Sequence, residues 1–195
     1  MIELAPATEA DLRGLVSVHK KAYSDAHFTS RFSRELLERY YAHFFGSECF
    51  VTKAVPAGNG AAAPVGFVVS GLGIGARIAA FKRECRTAIV GTVFKHPLAA
   101  ARKIVSDVYY RFFDSPYAYQ ECPYLILSIA SDRSLPGIGA ALMKHAMESA
   151  RSIGCSAVGL YVRVSNIRAI VFYLDNGFVV KGYSSGQFYL EAPIS

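Results

Sequence analysis

Leu125-Ile126-Leu127-Ser128-Ile129-Ala130-Ser131-Asp132-Arg133-Ser134-Leu135-Pro136-Gly137-Ile138-Gly139-Ala140-Ala141-Leu142 decides how the whole chain is read. Tyr124 to Ala130 is a β-rich apolar run, and a polar turn follows it. From Gly137 the residues Ile138, Ala141, Leu142, Ala146 and Ile153 recur on one side of a helix that Gly154 terminates. That helix begins with almost no side-chain bulk. Its first amides lack partners and carry the positive end of the macrodipole, which suits an anion. Gly137 and Gly139 let a phosphate approach the backbone, and the N–H that Pro136 lacks would be an orphan at a helix entry. The same glycines also suit an ordinary close-packed turn, because Gly-x-Gly alone is a weak signal.

A second segment separates the two readings. Asn166-x-x-Ala169-x-x-Phe172-Tyr173-x-x-x-Gly177-Phe178 lies roughly 30 residues downstream, which leaves room for one strand and its turns. Together the two segments resemble the GCN5-related N-acetyltransferase (GNAT) superfamily. Its first signature is a strand ending in a Gln/Arg-x-x-Gly-x-Gly/Ala loop that opens a helix. Its second is Asn-x-x-Ala-x-x-Phe/Leu-Tyr-x-x-x-Gly-Phe after the next strand. The resemblance implies an α/β fold with a mixed, mostly antiparallel central sheet flanked by helices. It covers nearly the whole chain, 1–195, as a single domain with a helical insertion at 72–119. The chain departs from the pattern at Ser134, where Gln or Arg is usual, at Leu135, where Gly is common, and at Pro136, which removes a donor. Arg133 is a neighbouring cation that can substitute.

The flanking sequence supplies matching elements. Ile2-Glu3-Leu4 reads as a strand, and Thr8 with Asp11 caps a helix through Leu12, Leu15, Val16 and Ala22. Ser33, Leu36, Leu37, Tyr40, Tyr41 and Phe44 mark a second helix, with Ser24 to Phe32 a polar, aromatic loop before it. Cys49–Ala54 and Val65–Ser70 are strands joined by the turn Pro56-Ala57-Gly58-Asn59-Gly60. The insertion reads as two helices parted near His96-Pro97. Ala157–Val164 is a strand, Asn166–Asp175 a helix, and Phe178–Tyr183 with Gln187–Leu190 a closing pair.

Composition narrows the function classes. At 195 residues, 52% apolar and 18% charged, the chain can bury a sizeable core and is not disordered. The N-terminus has no basic region leading into an apolar one, and the apolar stretch Ala61–Ala76 is broken by Pro64 and several glycines, short of the ~18 residues of a span. Cys49, Cys85, Cys122 and Cys155 form no CxxC pair, so reduced thiols and a cytoplasmic location are expected. The five histidines lack ligand spacing, and no metal is expected.

What each site residue does follows from the resemblance. The expected cofactor is acetyl-CoA, used as co-substrate, and the reaction is direct acyl transfer to an amine in a ternary complex. The backbone of Arg133, Ser134, Gly137, Ile138, Gly139 and Ala140 is expected to hold the pyrophosphate. Asn166 contacts the pantetheine arm or caps its helix, and both can hold. A strand N–H near Ile129 polarises the carbonyl, and Tyr173 is the general acid. The base is less defined. Glu121 is the most natural carboxylate, Asp25 and His27 compete with it, and a water chain is an alternative. The expected acceptor is a small-molecule primary amine, such as an amino sugar or nucleotide-linked amino sugar. A protein N-terminus or lysine is the alternative, as is a degenerate acyl-CoA-binding or interaction module. Nucleic acid is not expected for want of a reader motif; a homodimer is compatible with the sequence.

The net charge of +6 is concentrated in the insertion. Between Leu72 and Tyr119 eight Lys/Arg face three acids, which leaves +5 there and +1 elsewhere. Three readings stand: a solvated helical pair, recognition of an anionic acceptor, or attachment to an anionic membrane through accompanying aromatic residues. The expectation adopted is that the insertion shapes the acceptor site. Gly71-x-Gly73-x-Gly75 mimics a dinucleotide loop but lacks the acidic residue that should follow, and reads as a flexible exit into the insertion.

Overall fold

β-Branched and aromatic runs separated by Gly, Pro and Asn turns build seven strands: β1 (Ile2–Pro6), β2 (Cys49–Pro56), β3 (Gly66–Leu72), β4 (Tyr124–Ser131), β5 (Ala157–Arg163), β6 (Val179–Ser184) and β7 (Gln187–Pro193). They form one sheet of order β1-β2-β3-β4-β5-β7-β6, antiparallel except at β4–β5. The computed structural model describes residues 2–23, 28–58, 62–98, 101 and 120–194. The expected base candidates Asp25 and His27, and the part of the insertion from 102 to 119, lie outside the described residues.

Six α-helices lie wholly within the described residues: α1 (Leu12–Ala22), α2 (Arg34–Ala42), α3 (Ile74–Glu84), α4 (Arg86–Lys95), α5 (Ile138–Ser152) and α6 (Ile167–Asp175). Their starts follow local chemistry. Thr8 and Asp11 form a capping box on a single 3₁₀ turn that leads into α1. Ser33 Oγ accepts the Leu36 amide at 3.2 Å to cap α2, and Asn166 Oδ1 accepts the Ala169 amide at 3.3 Å to cap α6.

Two apolar clusters hold the layers together. One packs Leu15, Val16, Leu37, Tyr41 and Phe44 of the α1–α2 side onto Phe67, Val69, Leu125 and Tyr189 of the sheet. The other packs Ile138, Leu142, Met143, Ala146 and Ala150 of α5 onto Val68, Tyr124, Ile126, Leu160 and Leu190. The sheet is thus covered on both faces, as the α/β pattern requires.

Three details differ from the sequence reading. The insertion's first helical stretch breaks at Cys85 as well as at His96, where α4 ends. Ile153 is exposed, and Ala150 closes the buried face of α5 instead. Gly71 is not a flexible exit, since a Cβ there would lie 2.3 Å from the Glu48 carbonyl oxygen, at φ +151°; β2 and β3 meet too closely for a side chain.

Candidate functional site

β4 and β5 start side by side and then part. They pair only at Leu125–Gly159 and Ile126–Leu160, while on its other side β4 stays paired with β3 as far as Ser131. A β-bulge accompanies the divergence: Ile126 faces Ser70 and Ser128 faces Val69, so Leu127 is the extra residue. The bulge resets the alternation of side chains. Tyr124, Ile126 and Ile129 lie with the α5 cluster, whereas Leu125, Leu127 and Ala130 lie with the α1–α2 cluster. Among the described residues, the β5-facing edge of β4 has no strand partner beyond Ile126, and its amides and carbonyls need one from water or a ligand.

A cleft of about 810 Å³ occupies the fork. Ile129, Ala130 and Ser131 form one wall, and Arg163 and Ser165 at the end of β5 form the opposite one. Its floor is Leu135 to Ala140, the entry to α5, and α6 contributes Asn166, Arg168, Ala169, Phe172 and Tyr173. Gly137 adopts φ +80° as the N-cap of α5, and a Cβ there would project into open space. The first α-helical bond closes from the Ala141 amide to the Gly137 carbonyl at 3.0 Å. The amides of Ile138, Gly139 and Ala140 come before it and are the helix's orphan donors.

Charge points the same way. Among the described residues, the cleft is lined by three arginines, Arg133, Arg163 and Arg168, and no carboxylate. Arg168 lies in the first turn of α6, where the helix dipole disfavours a cation, so its placement serves something other than helix stability. Orphan amides, three guanidiniums and a free strand edge form a donor set suited to a long polyanion with an amide-bearing arm, and acyl-CoA has that chemistry.

Most of the expected residues converge here. Ile129, Arg133, Gly137, Ile138, Gly139, Ala140, Asn166 and Tyr173 all line the cleft. Ser134 does not, because its amide donates to Asp132 Oδ1 at 3.0 Å and turns the chain back. Glu121 also lies outside the lining. Its carboxylate accepts the Tyr161 hydroxyl at 2.5 Å. Tyr161 is the first residue of β5 after its pairing with β4 stops, which sets the Glu121–Tyr161 pair beside the fork. Asn166 spends Oδ1 on its cap, and its Nδ2 donors remain for the cleft.

One lining residue has no signature in the sequence. Tyr23, at the end of α1, lines the cleft and shares a 2.6 Å hydrogen bond with Ser128 beside the bulge. Its ring stacks on His19, whose Nδ1 lies 2.6 Å from the Tyr41 hydroxyl. Tyr173 sits between Phe172 and Phe178. Burial, with a smaller contribution from the Tyr23 phenol, raises its pKa above the usual 10.0. Tyr173 therefore keeps its proton throughout the physiological range.

Residues 109–178 match the acetyltransferase (GNAT) family. No curated protein sequence is significantly similar to the chain. Among solved structures, the PaiA N-acetyltransferase from Thermoplasma acidophilum in complex with coenzyme A is 16% identical, with 99% of each chain covered and a TM-score of 0.59. The ribosomal-protein-S18-alanine N-acetyltransferase from Escherichia coli is 15% identical over 100% of this chain and 95% of that one, at TM-score 0.57. A histone acetyltransferase HPA2 and related acetyltransferase from Corynebacterium glutamicum gives 17%, 100% and 97%, at 0.60. The seven-stranded sheet and its flanking helices are the GNAT fold, and the resemblance carried by the two motifs is borne out.

Proposed function

We propose that this chain, which carries the GNAT family segment and fold, is an N-acyltransferase moving an acetyl group from acetyl-CoA to the primary amine of a small molecule. The observation that carries the reading is the fork between β4 and β5, with a free strand edge on one side, orphan amides below and a protonated tyrosine within the lining. Bound acetyl-CoA would supply the activated thioester carbonyl. Ile138, Gly139 and Ala140 would hold its diphosphate through their amides, with Arg133 and Arg168 adding charge. The β4 edge around Ile129 would align the arm as an added strand and offer an N–H to the carbonyl oxygen. Asn166 would orient the arm through Nδ2.

Two proton movements remain. Tyr173 holds a proton that a departing thiolate can take, and its raised pKa means that it presents a neutral donor there. Glu121 is the proposed base, receiving the amine's proton directly or across the Tyr161 hydroxyl that it already binds. A cation-lined cleft with its carboxylate placed just outside would separate the polyanion from the incoming amine.

The acceptor class rests on the insertion, whose helices α3 and α4 are docked against α2 and add bulk on the α1–α2 side. A protein acceptor, as the name of the Escherichia coli ribosomal-protein-S18-alanine N-acetyltransferase gives for that enzyme, is the competing reading. The test is a screen of amino sugars, polyamines and amino-terminal peptides with acetyl-CoA, followed by free-thiol release. Turnover with small amines and none with peptides is expected. Preference for peptides reverses the acceptor assignment, and no turnover together with no calorimetric acetyl-CoA binding favours a degenerate module. Tyr173→Phe should lower single-turnover transfer by roughly a hundredfold at saturating acetyl-CoA; an unchanged rate removes the general-acid role.

A further inference from the structure

Helix α4 is apolar on two sides, and among the described residues only one of them is covered. Ile89 packs toward the α1–α2 cluster and Thr92 is buried, but Val90 and Phe94 lie four residues apart on the outer side, and Leu98 follows beyond the break at His96. They are 44%, 78% and 82% exposed. A surface helix ordinarily carries polar residues there.

Exposed cations accompany this stripe along α3 and α4. Lys82 and Arg83 end α3, Arg86 opens α4 and Lys95 lies in its last turn, all four exposed. Among the described residues, no hydrogen bond or ion pair engages their head groups. Arg77 is different: its guanidinium donates to the His43 carbonyl at 2.9 Å and locks α3 onto the end of α2. The only carboxylate between Ile74 and Leu98, Glu84, is hydrogen-bonded to His43 Nε2 at 3.1 Å. Phe81 completes the anchor, with its ring 5.0 Å from Tyr40 and 5.6 Å from His43. The stripe is therefore carried on a fixed platform.

We propose that the α3–α4 segment docks on an anionic lipid bilayer, with Phe94 and Leu98 entering the acyl boundary and Lys82, Arg83, Arg86 and Lys95 meeting headgroup phosphates. Apolar insertion and several cations together are the two signals that make interfacial binding stable, and neither suffices alone. Charge decides against a second copy of the chain, since a symmetric contact through the stripe would bring eight like charges together. A nucleic-acid backbone would use the cations and leave Phe94 and Leu98 exposed. No described helix is long and apolar enough to cross a membrane, so the contact is peripheral. None of these residues lines the cleft, and the proposal stands independently of the transferase reading.

Co-sedimentation of the full-length protein with vesicles tests it. Binding is expected to phosphatidylcholine mixed with phosphatidylglycerol, weakened by salt, and not to phosphatidylcholine alone. The double variant Phe94→Ser/Leu98→Ser and the quadruple variant Lys82→Gln/Arg83→Gln/Arg86→Gln/Lys95→Gln should each lose roughly tenfold or more in affinity. Both should melt as wild type by circular dichroism and bind acetyl-CoA as wild type. Equal binding to neutral vesicles overturns the proposal, as does binding that survives both substitutions. Vesicle-free self-association abolished by Phe94→Ser/Leu98→Ser would assign the stripe to a second copy instead.

Discussion

Tyr173 and Asn166 were legible as residues because their motif has fixed spacing, yet the motif says nothing about what each atom does. Asn166 commits its Oδ1 to a helix cap while lining the cleft. Tyr23 was not legible at all. An aromatic residue at the end of an amphipathic helix ordinarily packs a core, and only the fold brings it to Ser128, 105 positions away. Asp11 shows the reverse, a pattern that carried more than its local reading. Thr8 and Asp11 spell a capping box, but Asp11 Oδ1 also accepts Lys53 Nζ of β2 at 2.7 Å, tying the entry of α1 to the sheet. Partial burial works against its ionised form. The bonds from Lys53 and Thr8 outweigh that and hold its carboxyl below the usual 3.8. A depressed carboxylate contributes stability above its unfolded pKa and loses it as pH falls through the folded value. Asp11→Asn should therefore cost about 1–2 kcal/mol at neutral pH, with the gap to wild type closing below pH 3.8. Denaturant melts at neutral and strongly acidic pH measure both; a gap that persists in acid would mean that shape, not charge, is what Asp11 contributes.

At the scale of elements, the start of α5 was the clearest signal in the chain, and its neighbours were the least clear. Glycines and a proline before an apolar helical repeat announce a bare N-terminus. The bulge at Leu127 leaves no such mark, because Leu-Ile-Leu-Ser-Ile reads as a plain strand until β3 counts one residue fewer. Ser134 belongs to the loop by sequence, yet its amide is bonded to Asp132 Oδ1 and it does not line the cleft. The bare N-terminus can be tested separately from folding. Ala140 is exposed in the first turn of α5, where the macrodipole favours an acid by about 0.3–1 kcal/mol. A carboxylate there would face the same orphan amides and arginines as an incoming diphosphate. Ala140→Glu is expected to leave the melting temperature unchanged or slightly raised while weakening acetyl-CoA binding roughly tenfold or more. Calorimetry and thermal melts together decide it. Loss of both stability and binding would indicate a disturbed helix, and loss of neither would move the anion site elsewhere.

The whole molecule is two half-sheets joined by a short seam. Strand content and the α/β pattern foretold a mixed sheet, and two motifs in order foretold the GNAT fold. That β4 and β5 meet at only two register pairs is a property of three-dimensional packing with no local signature. The seam makes the molecule's stability depend on what fills the fork. Strands β1–β4 and β5–β7 are each well paired internally, and apart from helix packing the fork leaves backbone donors on one side facing the cleft. A ligand bound there completes the β4 edge, neutralises three arginines and bridges both halves at once. Because such a ligand binds only the folded chain, acetyl-CoA at a hundred times its dissociation constant should stabilise the protein by about 2.7 kcal/mol. For a chain of this size that is roughly 5–10 °C in melting temperature. Hydrogen exchange should slow most at Leu127–Ser131 and in the first turn of α5. Acetyl-pantetheine, which lacks the diphosphate, should protect the β4 edge and leave the α5 amides exchanging as in the free protein. Protection spread evenly over the sheet, or a melting temperature that does not move with millimolar acetyl-CoA, would mean that the fork is not where the cofactor sits.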